Sequence, residues 1–137
     1  MQVGNQPMLL CLDLEEGSES LAGQTAGYSS RCNQPLHVLH VIPKGGVEQE
    51  KTAMERLRRL VDKVLASVNV EAVGIRHGVP EDSIVAYAKE HGTVPVILGR
   101  RFRTRERIYV GSTTSAVISM SPAPVLVVPL GRKQRRP

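Results

Sequence analysis

Apolar residues in this chain fall into two kinds of run, and the two kinds alternate. Met8–Asp13 is a short apolar run closed by an acid and reads as a buried strand. Glu15-Glu16-Gly17-Ser18 reads as a turn, with Ser18 or a near neighbour capping the next helix. Glu19–Arg31 is a weaker helical pattern through Leu21, Ala22, Thr25, Ala26 and Tyr28, diluted by Gly23 and Gly27. Leu36–Ile42 is a second strand, ended by Pro43-Lys44-Gly45-Gly46. Glu48–Val68 is the clearest helix, because Met54, Leu57, Val61, Val64 and Val68 recur at three- and four-residue steps. On that spacing Arg56, Arg59 and Lys63 point to solvent.

The second half repeats the alternation. Val70–Ile75 is rich in β-branched residues and predicts a third strand, broken at Gly78. Pro80-Glu81-Asp82 opens a helix, since proline fits the first turn and acids suit the positive end of the helix dipole; Gly92 ends it. Val94–Leu98 is a fourth strand, Gly99–Val110 an arginine-rich connection, Gly111–Met120 a fourth helix and Val125–Leu130 a fifth strand. Five mostly apolar strands joined by helices predict an α/β fold: a doubly wound parallel sheet with helices on both faces. One domain over 1–131 and a basic tail over 132–137 account for the 137 residues.

Composition narrows the choices. Aromatics make up 3% of the chain, so the core must be aliphatic. Cys11 and Cys32 form no metal-type pair, which reads as two buried or semi-buried thiols in a reducing compartment. Residues 1–7 have no basic leader character, and no apolar run reaches the roughly 20 residues of a membrane span, so a cytoplasmic location is expected. The net charge of +5 raises the question of nucleic acid. Its basic residues lie on the long helix, in the connection (Arg100, Arg101, Arg103, Arg105, Arg107) and in the tail, and only the connection is a candidate site.

Several segments resemble one family in the right order. They are Leu36-His37-Val38-Leu39-His40-Val41-Ile42, the stretch from Gly78 through Pro80 to His91, and Pro122-Ala123-Pro124-Val125-Leu126-Val127-Val128-Pro129. Together they resemble the universal stress proteins, and the likeness runs from about Met8 to Leu130. The resemblance implies a Rossmann-like, adenine nucleotide alpha hydrolase-like sheet in the order 3-2-1-4-5, with a ligand crevice where strands 1 and 4 diverge. It also implies a homodimer through the last strand (Val125, Leu126, Val127, Val128), a stress or signalling role, and in many members bound ATP or a related nucleotide, with Mg2+ as a companion.

By the same resemblance, Gly99 matches the first glycine of the nucleotide motif and Gly111, Ser112 and Thr113 match its closing group at the start of the fourth helix. Asp13 matches the acid that meets ribose or metal, and Val41 the position offering backbone groups to adenine. Glycines let backbone amides approach phosphate, and a helix N-terminus then holds the charge. Three departures weigh against ATP. Phe102 stands at the second glycine, the Gly99–Gly111 segment is one residue short, and Glu15-Glu16 bring negative charge beside the crevice. Arg100 and Arg101 are candidate replacement phosphate ligands.

Phosphate-loop, dinucleotide-fingerprint, nucleophile-elbow and zinc-spaced motifs are absent. No nucleophile, base and orienting group assemble, so the chain reads as a non-enzyme, weak ATP hydrolysis being conceivable only by the family setting. His37 and His40, three apart on one strand, face opposite sides and read as structural. Two further functions compete with nucleotide binding. One is a protein-interaction module of the same fold that has lost ATP. The other is nucleic-acid binding through the arginine segment, weakened by the lack of aromatic stacking platforms.

Overall fold

Leu9, Leu10, Leu36, Val38, Val96 and Ile97 are all fully buried, and they are the hearts of three adjacent strands. The computed structural model describes residues 6–102, 108–109 and 111–130. Within these the order is β1 (Met8–Cys11), α1 (Ser18–Cys32), β2 (Leu36–Pro43), α2 (Glu50–Val64), β3 (Val70–Gly78), α3 (Pro80–His91), β4 (Val96–Phe102), β5 (Ile108–Tyr109), α4 (Ser112–Met120) and β6 (Val125–Pro129).

The expected parallel sheet is present, in the order β3-β2-β1-β4-β6, where β6 is the fifth strand read from the sequence. Met8 to Cys11 register against Leu36 to Leu39, and Val96 to Arg100 against Val125 to Pro129. Strand alternation sends Leu10, Leu12, Val38 and Ile97 to one face, under α1 and α2, and Leu9, Cys11, Leu39 and Val96 to the other, with Ile84 and Val117 from α3 and α4. That two-sided cover is why the strands read as continuous apolar runs rather than alternating ones.

Several boundaries differ from the sequence reading. Strand β4 does not stop at Leu98. It continues to Phe102 and folds back, with Arg101 opposite Tyr109 and Phe102 opposite Ile108 in antiparallel pairing. Part of the supposed connection is therefore a short hairpin. Helix α2 ends at Val64, not Val68, with Leu65 leaving the helical conformation and buried at 1% exposure. It also starts two residues late, because Glu48 is engaged elsewhere. Arg56, expected on a solvated face, bonds the Leu14 carbonyl through Nη2 at 2.7 Å.

Helix α1 forms despite its glycines. A Cβ at Gly23 would sit 3.8 Å from Val64 Cγ1, so the glycine marks where α1 passes close to α2. Gly17 at φ 98° starts the helix and Asn33 at φ 53° ends it, both left-handed positions that glycine and asparagine tolerate. Cys11 is buried as read, but Cys32, at the end of α1, is exposed; both thiols are free. No helix among the described residues is long and apolar enough to cross a membrane.

Candidate functional site

The C-terminal ends of β1 and β4 diverge because β1 hands its chain to α1 on one face while β4 leads toward α4 on the other. A crevice of about 500 Å³ opens there. Asp13, Val41, Gly99, Gly111, Ser112 and Thr113, the residues singled out by resemblance, all line it. Arg100 does not: it is half-buried in β4, past the crevice wall. Arg101 belongs to the hairpin, and its side chain lies outside the described residues, as do Arg103, Arg105, Arg107 and the basic tail.

The walls have distinct chemistry. Val41, Pro43, Pro80 and Ile84 give an apolar end between β2 and α3. Opposite lie two helix N-termini, Gly17-Ser18 of α1 and Gly111-Ser112-Thr113 of α4. The first amides of a helix have no partner within it and carry the positive end of its dipole, so both termini turn donors toward the crevice, although in α1 the Ser18 amide is already given to the Glu15 carbonyl at 3.1 Å. No side chain caps either one. Thr114, buried in the first turn of α4, reaches the Gly99 carbonyl at 3.4 Å and ties that helix to β4.

Asp13 organises the turn between β1 and α1. Its Oδ1 accepts from the Glu15 amide at 2.9 Å and from the Ser18 hydroxyl at 3.2 Å. Glu15 is thereby held in the lining, where the sequence expected an unfavourable charge. Gly99 is not a turn glycine. It is inside a strand, and a Cβ there would stand 2.9 Å from Leu130 Cδ1 and 3.3 Å from Leu21 Cδ2.

The histidines hold the main surprise. His37 and His40 do face opposite sides, as read, yet both are partnered. His37 Nδ1 lies 2.7 Å from the Tyr87 hydroxyl, with the His91 ring stacked on Tyr87 at 4.1 Å. Burial and the nearby His91 lower the His37 pKa. His40 is in the crevice wall, with Nδ1 2.8 Å from the Leu12 carbonyl and Nε2 2.9 Å from Glu48 Oε1. Arg56 holds the other oxygen of Glu48 at 3.1 Å. No spacing in the sequence announces this set, because Glu48 reaches His40 only after the chain has turned at Gly45 and Gly46. Cys11 also touches the crevice, where burial drives its thiol pKa far upward and keeps it protonated.

The model of the universal stress protein family matches residues 4–129. The chain belongs to the universal stress protein family. Solved structures agree with that membership in fold. A hypothetical protein, MJ0577, whose structure served to assign its biochemical function, is 25% identical, with a TM-score of 0.77 over 97% of this chain and 100% of its own. A universal stress protein in complex with cAMP is 20% identical, with a TM-score of 0.67 over 93% and 98%. The universal stress protein from Archaeoglobus fulgidus in complex with dAMP is 22% identical, with a TM-score of 0.65 over 90% and 97%. No curated protein matches the chain.

Proposed function

We propose that this member of the family binds an adenine nucleotide in the crevice between β1 and β4 and works as a homodimer in stress response or signalling. The observation that carries the reading is the pairing of an apolar end with two uncapped helix N-termini across one cavity of about 500 Å³. The base would lie against Val41 and Ile84, the ribose near Asp13, and the phosphate on the amides and hydroxyls of Gly111, Ser112 and Thr113. Two solved neighbours were captured with cAMP and with dAMP, which supports a nucleotide of this kind.

ATP, the ligand that the resemblance favours, would bring two more phosphates toward Glu15 and Glu48. No group of three metal-ligating side chains occurs among the described residues. Mg2+ would therefore arrive on the phosphates, with Asp13 as a candidate contact. Pairing of two copies would use the open edge of β6. Leu126 is exposed there, on the α1 side of the sheet, whereas Val128, on the same side, is buried in its own core and would contribute backbone only.

Calorimetric titration with ATP and with cAMP, with and without Mg2+, tests the reading, and saturable binding at micromolar to millimolar concentration is expected. A second reading is favoured by Gly99, whose lack of a side chain is already required by Leu130 and Leu21. On that reading the fold is a protein-interaction module without nucleotide, and no heat would be seen with either ligand.

A further inference from the structure

Strand β3 is nine residues long, from Val70 to Gly78, and none of them is fully buried. Strands β1 and β2, by contrast, are buried through most of their length. Among the described residues β3 pairs with β2 alone, so it ends the sheet on the side away from β6. Its register slips once, at Glu71, and runs evenly from Ala72 to Gly78 with no proline to interrupt it.

One bond fixes which backbone groups face outward. The Lys44 amide bonds the Gly78 carbonyl at 3.1 Å, and Gly78 is in register with Pro43. In a parallel pair a residue turns both its amide and its carbonyl to one neighbour, and the next residue turns both away. Gly78, Arg76, Gly74 and Ala72 therefore serve β2, while Val73, Ile75 and His77 hold theirs toward the open edge. An edge of this kind is a template for another strand.

The sequence around Ile75 is complementary to itself. Turned about a two-fold axis at Ile75, a second copy sets Ile75 opposite Ile75, Val73 opposite His77 and Gly74 opposite Arg76. The three outward residues of each copy then satisfy one another in about six hydrogen bonds. Val73 and Ile75 are β-branched and only partly buried on the face under α1 and α2, so both have apolar surface left to pair. On the other face a Cβ at Gly74 would meet nothing within 4 Å, which leaves room there for the Arg76 side chain of the second copy. Arg76 holds Glu90 at 2.8 Å and enters as a neutral pair. No two like charges stand directly opposite, as stable cross-strand pairing requires.

We propose that β3 pairs antiparallel with β3 of a second copy, centred on Ile75, and so continues the sheet from one molecule into the next. This contact lies at the opposite edge from β6 and depends neither on pairing there nor on a nucleotide. Where both edges pair, each two-fold contact adds the next molecule and a row of copies results. A single strand pair buries little area, so the contact is weak and depends on concentration.

Amide exchange of the full chain, followed by NMR at about 50 µM and about 1 mM, reads the contact without any substitution. The amides of Val73, Ile75 and His77 should gain about tenfold protection at the higher concentration, while those of Ala72, Gly74 and Arg76, already given to β2, should gain little. Two variants at one open position check the register. Gly74→Lys sets a lysine opposite Arg76 of the second copy and should abolish the gain; Gly74→Glu sets an opposite charge there and should keep it. Both should leave the urea midpoint near that of the wild type, because the position is open. Exchange at Val73, Ile75 and His77 that ignores concentration overturns the proposal: fast throughout means an unpaired edge, slow throughout an edge covered by its own chain. A gain confined to the amides of β6, or one that survives Gly74→Lys, overturns it as well.

Discussion

Leu130 occupies the space that a side chain at position 99 would need: Cδ1 lies 2.9 Å and Cγ 3.2 Å from where the Cβ of residue 99 would be. Leu130 is buried and lines the crevice, so the glycine both admits the end of β6 to the core and shapes the candidate site. Gly99→Ala is expected to destabilise the protein by about 1–3 kcal/mol, the usual cost of overpacking. Leu130→Ala alone should cost about 2–5 kcal/mol through the cavity it leaves. The double variant should fall short of the sum by at least about 0.5 kcal/mol, as expected for residues in contact. Urea denaturation of the four proteins checks this, and strict additivity would show that Leu130 does not set the constraint.

Gly111 differs in kind. It precedes α4 with φ −62° and ψ 162°, a conformation open to any residue. Gly111→Val should leave the urea midpoint nearly unchanged while weakening nucleotide binding tenfold or more, because the added side chain stands between the ligand and the α4 amides. The comparison to make is calorimetry beside denaturation of the same variant. Loss of stability with unchanged affinity would assign the glycine to the fold instead.

The His37 cluster predicts a pH dependence with a defined sign. Burial, then His91, lowers the His37 pKa in the folded chain. Below its ordinary value of about 6.5, the unfolded chain binds the proton that the folded one resists. Its contribution therefore favours folding above that value and is lost as pH falls through the folded-state pKa. The urea midpoint of the wild type should drop more between pH 7 and pH 5 than that of His37→Gln. Parallel pH profiles would show that His37 is not responsible.

The two cysteines should react very differently. Cys32 is exposed, whereas burial keeps the Cys11 thiol protonated and shielded. A disulfide-exchange reagent should label one thiol per chain in the native protein and both after denaturation. A nucleotide should leave the Cys32 rate unaltered. Rapid native labelling of Cys11 would mean that the floor of the crevice opens more than its packing implies.

The alternation of apolar runs and helical spacing made the sheet legible, because residues such as Leu9, Val38 and Ile97 are buried whichever face they take. The extension of β4 was not legible. Gly99 and the arginines after it resemble a loop, and only pairing with Ile108 and Tyr109 makes Arg101 and Phe102 strand residues. Asp13, Val41 and Gly111 were singled out by their resemblance to the family motif, and they line one crevice because a doubly wound sheet brings these strand ends and helix starts together. The His40–Glu48–Arg56 set could not, since it depends on the path of the turn after Pro43. Gly99 was legible as a special position for a reason other than its main one: its neighbour Leu130 is 31 residues away in sequence.

The central claim is that a nucleotide sits between the apolar end of the crevice and the start of α4. An amide NMR titration of 15N-labelled protein with ATP tests it most directly. The account predicts saturable shifts at Val41, Asp13, Ser112 and Thr113, with the amides of α2 left in place. No shift up to millimolar ATP, or shifts confined to the basic segments outside the crevice, would contradict it.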